Sequence, residues 1–453
     1  MAECPSALLT DLYQLNMLQA YLDYGETETA VFEFFVRKLP QNRRFLLAAG
    51  LDQALQFLEG LRFSADEVDW LRSTGRFKPN LIEYLTGFRF RGDVHAMPEG
   101  TAFFANEPIL RLTACLPEAQ LVETRLINIL HYQTLIASKA ARFVLLTPGK
   151  LLVDFGLRRA HGADAGLMAA RAAYLAGFSG TATLEAERAF GIPTFGTMAH
   201  SYIQAHDSEA EAFDRFTISR PENLTLLIDT YDCEAAARKV VALAPRLGER
   251  GIRIGAVRID SGDLIALSRQ VRHILDEGAL RDVTIFASGG LDEAKLGRIV
   301  REKAPIDGFG IGTSLTVSAD APSLDCAYKL EEYAGRARRK HSAGKATWPG
   351  RKQVWRCERN GRMAGDVIGL DRESHEGEAL LHPVMIAGQR MAGGPTLVQS
   401  RAHAASQLAK LPPKLRQLEP GAVYSVRISE ALQQLSAKVD AGLSRDNRLE
   451  SPG

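Results

Sequence analysis

The chain has little that would tie it to an oxidising compartment, a membrane or a polyanion. Its five cysteines (Cys4, Cys115, Cys233, Cys326 and Cys357) are scattered and odd in number. With no CxxC pair they suggest neither a disulfide framework nor a zinc site. HExxH is absent as well, which removes the helical metalloprotease pair. No apolar run is long enough to span a bilayer, and the opening MAECPSALLTDLYQ lacks a basic stretch followed by an apolar one. No membrane partner is therefore expected, and the cytoplasm is the expected location. Lys and Arg total 55 against 54 Asp and Glu, a formal net charge of +1, so nothing pulls the whole chain toward nucleic acid. There is no fixed-period repeat and no low-complexity tract. What remains is the composition of an ordinary enzyme, 453 residues long, enough for two domains or one large barrel with additions.

Hydrophobic periodicity divides it. Thr10–Tyr24 opens on a Thr or Asp cap and repeats Leu12, Leu15, Leu18 and Leu22 at helical spacing. Ala30–Arg37 alternates as a strand, Phe45–Leu61 returns to a helix, and Arg89–Leu116 holds short strands broken by Pro98-Glu99-Gly100 and Glu107-Pro108. Residues 1–117 thus read as an α+β domain. Glu118–Phe143, free of proline and glycine, predicts one long amphipathic helix. Beyond it apolar runs at Leu151–Phe155, Ile192–Phe195, Leu224–Ile228, Ile254–Ile259, Val283–Ala287 and Ile306–Phe309 alternate with helical patterns such as Glu234–Leu247, Leu264–Glu277 and Asp292–Lys303. Regular β-α alternation argues for a parallel sheet. The expected fold is α/β, a closed or irregular TIM-like β/α barrel over 118–345. Gly335–Arg356 interrupts the pattern with a basic, glycine-containing loop whose Trp348 and Trp355 are too few to stack RNA bases. Residues 346–453 resume short strands and turns. They are expected to rejoin the N-terminal domain and to end in a polar helix and frayed tail from Ser429.

The strand ends carry the chemistry. Arg253–Asp263, RIGAVRIDSGD, reads as a buried strand emptying into Asp260-Ser261-Gly262-Asp263. Such a loop is either an Asx-turn with a helix cap or a catalytic strand exit of a barrel. Recurrence favours the exit. Asp154-Phe155-Gly156-Leu157-Arg158-Arg159 offers an aromatic face and two guanidiniums suited to a planar anion. Gly196–Ser201 contains His200, and Asp229-Thr230-Tyr231-Asp232 follows the next run. Ser288-Gly289-Gly290 and Gly310-Ile311-Gly312-Thr313-Ser314 are small-residue loops whose N–H groups can approach phosphate closely. The sum suggests a phosphorylated sugar with a divalent cation beside a flat anionic ring. His200 is read as a nucleophile or acid–base group, with Asp229 expected to orient its ring; His206, six residues on, has the wrong spacing for a metal pair.

Taken together these stretches resemble the nicotinate phosphoribosyltransferase family. The resemblance is carried by TDLYQLNM from Thr10, DFGLRRAHG (Asp154–Gly162), FGTMAHSY (Phe195–Tyr202), RIDSGD (Arg258–Asp263), SGGLDE (Ser288–Glu293), GFGIGTSL (Gly308–Leu315) and KATWPGRKQVWR from Lys345. It implies an ATP-assisted enzyme of NAD salvage that joins nicotinate and phosphoribosyl pyrophosphate, with Mg²⁺. It implies a homodimer in which Tyr13 crosses over to stack on nicotinate against Phe155. Arg158, Arg258 and Thr181 then lie around the base. Asp260 and Asp263 hold ribose hydroxyls and Mg²⁺-bound pyrophosphate, while Ser288, Gly289, Gly290, Gly310, Gly312 and Thr313 take the 5-phosphate. His200, with Asp229, Asp260 and Asp263 as the catalytic set, is the histidine the family phosphorylates with ATP. The basic loop is expected to close over substrate and bring Lys345 or Lys352 to phosphate.

One departure bears on the base. Where many relatives read Gly-Thr-Ser-Asn, this chain has Gly180-Thr181-Ala182-Thr183. Nicotinamide-using relatives carry aspartate at the position of Ala182. Alanine removes that acceptor and its repulsion of a carboxylate, which favours the acid. Nicotinamide or another pyridine base, and a catalytically silent nucleotide-binding relative, are the alternatives.

Overall fold

The structure, a computed structural model, describes residues 6–342, 345–417, 421 and 423–449. Cys4 and the end of the expected tail lie outside the described residues; the other four cysteines are free thiols. The chain forms two compact units, one from residues up to 138 together with those from 323, the other from 139–322.

Six short strands make the sheet of the 139–322 unit: β1 (Leu151–Asp154), β2 (Gly180–Thr181), β3 (Leu224–Leu227), β4 (Ile254–Ile259), β5 (Thr284–Ala287) and β6 (Gly308–Ile311). Their side-by-side order is β2-β1-β6-β5-β4-β3, and every pair is parallel. The sheet is a curled half-barrel with β2 and β3 at its edges, the irregular form of the expected architecture. Leu152, Val153, Leu226, Leu227, Val257, Ile259, Ile285 and Ile311 are buried in it. Each such side chain contributes about 1.5–3 kcal/mol, so the sheet is a rigid frame and variation is left to the loops at its exits. The helices between the strands follow their caps. Leu264–Glu277 forms at the expected limits, with the Asp263 carboxylate accepting from the N–H of Ile265 and Ala266 at 3.1 and 3.2 Å. Asp232 and Asp292 cap the helices Cys233–Gly248 and Glu293–Arg301 in the same way.

Two strand expectations change. Ile192–Phe195 gives only an isolated bridge, from Thr194 to Thr181, because Pro193 has no N–H for a ladder; the strand beside β1 is the short Gly180–Thr181 instead. β4 is buried at Val257 and Ile259, whereas Ile254 and Ala256 are only partly covered.

In the other unit Thr29–Val36 is an inner strand of a seven-stranded sheet, paired antiparallel with Pro108–Cys115 on one side and Cys326–Tyr333 on the other. The Phe32 and Tyr328 rings stack across that second pair, centroids 4.8 Å apart. The expected helix over 45–61 divides into a strand at Leu46–Leu47 and a helix at Leu51–Gly60, because Gly50 (φ 95°) turns the chain between them. The expected long helix is two, Leu116–Leu121 and Glu123–Leu146, separated at Val122. A helix at Leu397–Lys410 interrupts the C-terminal strands; its capping box, Thr396 with Gln399, is a signal the sequence carried in plain view.

Lys352 corrects an expectation. Its side chain is 4% exposed; the ammonium lies 3.0 Å from Glu33 and 3.6 Å from Glu331 and donates to the Gly350 carbonyl. The buried Glu33 carboxylate and the Gly350 carbonyl hold the ammonium, so it is not free for phosphate. Lys345 is exposed, and Arg339 and His341 of the basic segment bind Asp440 in the C-terminal helix. No described helix is long and apolar enough to cross a membrane.

Candidate active site

Because the six strands run one way, their C-terminal ends share one edge of the sheet, in the order Thr181, Asp154, Ile311, Ala287, Ile259, Leu227. The residues that leave them are Ala182, Phe155, Gly312, Ser288, Asp260 and, one position later, Asp229. The glycine-rich exits therefore lie in the middle, with the aromatic on one side and the carboxylates on the other. This is the end of an α/β sheet at which ligands bind.

Arg258, on β4, links the exits. Its Nε donates to Ser288 Oγ at 2.8 Å, its Nη2 to Asp260 Oδ1 at 2.7 Å and its Nη1 to Thr197 Oγ1 at 3.3 Å. The guanidinium stands 5.3 Å from the centre of the Phe155 ring, a cation–π distance, and Phe155 in turn leans on Phe286 with centroids 5.8 Å apart. The Ser288 hydroxyl donates to Asp260 Oδ1. Partial burial would raise the Asp260 carboxyl, but Ser288, Arg258 and His200 outweigh it and hold the group below the ordinary aspartate range. Asp260 is thus an ionised carboxylate at the mouth of the sheet.

His200 begins the short helix His200–Gln204. Its Nδ1 is 3.1 Å from Thr230 Oγ1, its Nε2 is 3.9 Å from Asp260 Oδ2, and the side chain is 40% exposed. Asp229 does not orient the ring, contrary to expectation. Its Oδ2 instead accepts from the Asp260 N–H at 3.0 Å and the Ser261 hydroxyl at 2.6 Å. The carboxylate at the end of β3 is turned toward β4, and the next residue, Thr230, meets the histidine. Asp229 Oδ1 is buried without a hydrogen-bond partner.

The other expected residues divide. Gly289 has φ 91°, and a Cβ there would lie 1.7 Å from the Asp260 carbonyl oxygen, so only glycine lets the β5 exit pass this close to β4. Gly310 is buried beneath the Phe155 ring, where a Cβ would come within 2.5 Å of ring carbon. Its smallness makes room for the aromatic rather than opening backbone to a phosphate. Gly312 lies against the Phe155 carbonyl in the same manner. Thr313 is exposed at the head of a four-residue helix, Thr313–Thr316, and beside it the buried Ser314 Oγ has no hydrogen-bond partner. Arg158 is exposed in the turn Leu157–Arg159. Asp263 has given one oxygen to its helix cap. Thr181 is fully buried with its hydroxyl donated to Asp154 Oδ2 at 2.8 Å, so that hydroxyl shapes the exit and does not face a ligand. Tyr13 lies on the helix Leu12–Tyr24 of the other unit and is 47% exposed.

Reading by sequence placed Thr197, Thr230, Ser314 and Asp154 within strand exits but gave none of them a role of its own, since a lone hydroxyl or strand-end carboxylate has no spacing to mark it. The Asp154 carboxyl is fully buried, and burial lifts it from 3.8 to about 6 against the hydrogen bonds of Thr181 and Gly156. A raised carboxyl binds its proton more tightly in the folded state. The stability it contributes is complete below about pH 4 and is lost as pH rises through about 6. At 1.36 kcal/mol per unit this amounts to about 3 kcal/mol or less. Asp154→Asn is expected to flatten that part of the stability–pH curve, measured by urea unfolding between pH 4 and 8; an unchanged slope would refute the shift.

Among the described residues no group of three or more His, Cys, Asp or Glu is placed to hold a metal ion. The unpartnered Asp229 Oδ1 beside ionised Asp260 fits a hard cation carried in with a phosphorylated substrate, for which one or two carboxylates suffice.

Comparison with known proteins bears on the same residues. Residues 8–131 match the nicotinate phosphoribosyltransferase N-terminal domain, 151–343 the nicotinate phosphoribosyltransferase family and 374–436 its C-terminal domain. The chain is 49% identical over 428 residues to nicotinate phosphoribosyltransferase pncB2 of Mycobacterium tuberculosis, covering 94% of this chain and 92% of that one. It is 39% identical to nicotinate phosphoribosyltransferase of Bacillus subtilis, over 83% of this chain and 79% of the relative. Among solved structures it resembles human nicotinic acid phosphoribosyltransferase, with TM-score 0.85 and 29% identity over 96% of this chain and 99% of the other.

Proposed function

From the premise that the chain belongs to the nicotinate phosphoribosyltransferase family, we propose which of its residues carry the reaction and that ATP drives it through His200. The enzyme joins nicotinate and phosphoribosyl pyrophosphate to give nicotinate mononucleotide and pyrophosphate, a step of NAD salvage. The observation that best supports the residue roles is Arg258, which touches the aromatic, the carboxylate and the serine exits at once.

Nicotinate is a flat anion. Phe155 offers its ring as a plate, Arg258 and the exposed Arg158 offer positive charge, and Ala182 presents no carboxylate to repel the acid. The 5-phosphate is assigned to the centre of the edge, where the adjacent exits of β5 and β6 offer Ser288, the N–H groups of Gly289 and Gly290, Thr313 and the Ser314 hydroxyl, which has no hydrogen-bond partner. Ionised Asp260 accepts from ribose hydroxyls. As pyrophosphate leaves ribose C1 an oxocarbenium-like centre develops and the pyridine nitrogen attacks it. Positioning and charge do most of this work, so side chains need form no covalent bond to the sugar. Asp229 and Asp260 would hold Mg²⁺ arriving with pyrophosphate, which supplies neutralisation of the leaving group's charge when bound.

His200 is suited to accept the γ-phosphoryl group of ATP. With Nδ1 facing Thr230, the free nitrogen is Nε2, and a neutral imidazole is a good acceptor. The charge so added beside the pyrophosphate region couples ATP hydrolysis to the transfer. The exposed Tyr13 supports a homodimer in which one protomer closes the base site of the other.

The test is to incubate the protein with nicotinate, phosphoribosyl pyrophosphate and Mg²⁺, with and without ATP, and to follow nicotinate mononucleotide to its end point. The expected result is a higher end point with ATP, ADP formed alongside, and little inhibition by excess nicotinamide. Equal end points would make the enzyme an uncoupled transferase, and strong competition by nicotinamide would remove the preference for the acid.

A further inference from the structure

We infer that Asp154 is a positioning residue for the base site, its buried carboxylate bracketing the exits of β1 and β2 so that Phe155 is held against Arg258. The inference rests on the reading of Phe155 as the nicotinate plate. Asp154 is the last residue of β1 and is 1% exposed. Its Oδ1 accepts from the Gly156 N–H at 2.8 Å, which turns the chain immediately after Phe155. Its Oδ2 accepts from the Thr181 hydroxyl at 2.8 Å, and that oxygen accepts from the Thr183 N–H at 3.1 Å. The Asp154 carbonyl accepts from the Ala182 N–H at 2.9 Å. One residue therefore ties both flanks of Phe155 to the loop that carries Ala182.

The two hydrogen bonds that lower the carboxyl are outweighed by burial, and no cation contributes to its balance. An apolar residue of similar size would leave no such group to desolvate. What the carboxylate supplies is geometry. The turn at Gly156 is packed as tightly as its position: a Cβ there would meet Thr316, on the helix after β6, at 2.7 Å. Releasing the bracket leaves the turn free to shift, and the Phe155 ring shifts with it. A displacement of about 1 Å at a substrate-positioning group can lower the rate by about 10²-fold.

The experiment measures kcat and both KM values for Asp154→Ala, Asp154→Asn and Phe155→Ala, with thermal melting as the check on folding. Asp154→Ala is expected to raise the KM for nicotinate about tenfold or more while the KM for phosphoribosyl pyrophosphate changes by less than about twofold. Asp154→Asn keeps an oxygen for Gly156 and an amide for the Thr181 oxygen, and it is expected to restore the nicotinate KM to within about threefold of wild type. A folded Asp154→Ala with the wild-type nicotinate KM overturns the inference, as does an Asn variant no better than Ala. If Asp154→Ala does not fold, Thr181→Val and Thr181→Ser decide: Val should raise the nicotinate KM and Ser should not, and a wild-type KM in Val overturns the inference. Phe155→Ala separates the two readings. A wild-type nicotinate KM there overturns the plate and this inference with it. A raised KM there, with Asp154→Ala unaffected, overturns the bracket alone.

Discussion

His200→Ala is expected to abolish the acid-labile, base-stable phosphoprotein that forms when the protein meets γ-labelled ATP. The same variant should lose the higher end point that ATP gives to nicotinate mononucleotide formation. The loss should be complete because the acceptor atom itself is removed. Thr230 engages Nδ1 at 3.1 Å, Nε2 stands 3.9 Å from Asp260 Oδ2, and neither neighbour is a nucleophile of comparable strength at neutral pH. Phosphoribosyl transfer without ATP should survive in part, since the groups that bind the base and the sugar phosphate are elsewhere along the sheet edge. Label retained in the alanine variant would place the phosphoryl group on another residue. No label in the wild type would end the ATP coupling while leaving the transferase intact.

The second large effect is expected at Gly289→Ala. The glycine sits at φ 91° with the Asp260 carbonyl oxygen 1.7 Å and its carbon 2.8 Å from where a Cβ would stand. No flexible side chain can give way there, because the obstacle is the backbone of the β4 exit. Asp260 must move, and it takes its hydrogen bonds to Arg258 and Ser288 with it. The predicted consequence is a fall in kcat/KM for phosphoribosyl pyrophosphate of about 10²–10³-fold, with the fold retained. Gly290→Ala is the control. Its Cβ would meet only the end of the Lys295 side chain, at 3.2 Å, so the remaining burden is the left-handed backbone at φ 59°, worth about 1–2 kcal/mol. Steady-state kinetics of the pair decide the matter: equal, small effects would mean that the position of Asp260 does not govern turnover.

Much of the site was legible because strand exits are local. RIDSGD, DFGLRR and SGGLDE each announce a β-strand, a turn and a helix start within a dozen residues, and β-α alternation then places their exits on one edge. The helix Leu264–Glu277 and its Asp263 cap needed nothing beyond their own residues. Two local signals were given too little weight. Pro193 kept Ile192–Phe195 out of the sheet, and the Thr396–Gln399 box marked a helix in a region read as strands and turns.

The amino-acid order alone determined the family, the parallel α/β architecture and the small set of loops that hold the chemistry, since each depends on residues close together in the chain. The pairing of side chains between loops was decided only by the tertiary structure. Thr230, not Asp229, meets His200; Gly310 serves the Phe155 ring; Lys352 is claimed by Glu33 and Glu331; and Asp154 reaches across to Thr181. The reason is one of scale. Sequence places neighbouring strands about 4.8 Å apart with their ends aligned, but a hydrogen bond requires about 3 Å and the right direction. Only the packed backbone, with its twist and its close approaches at glycine, supplies those last ångströms.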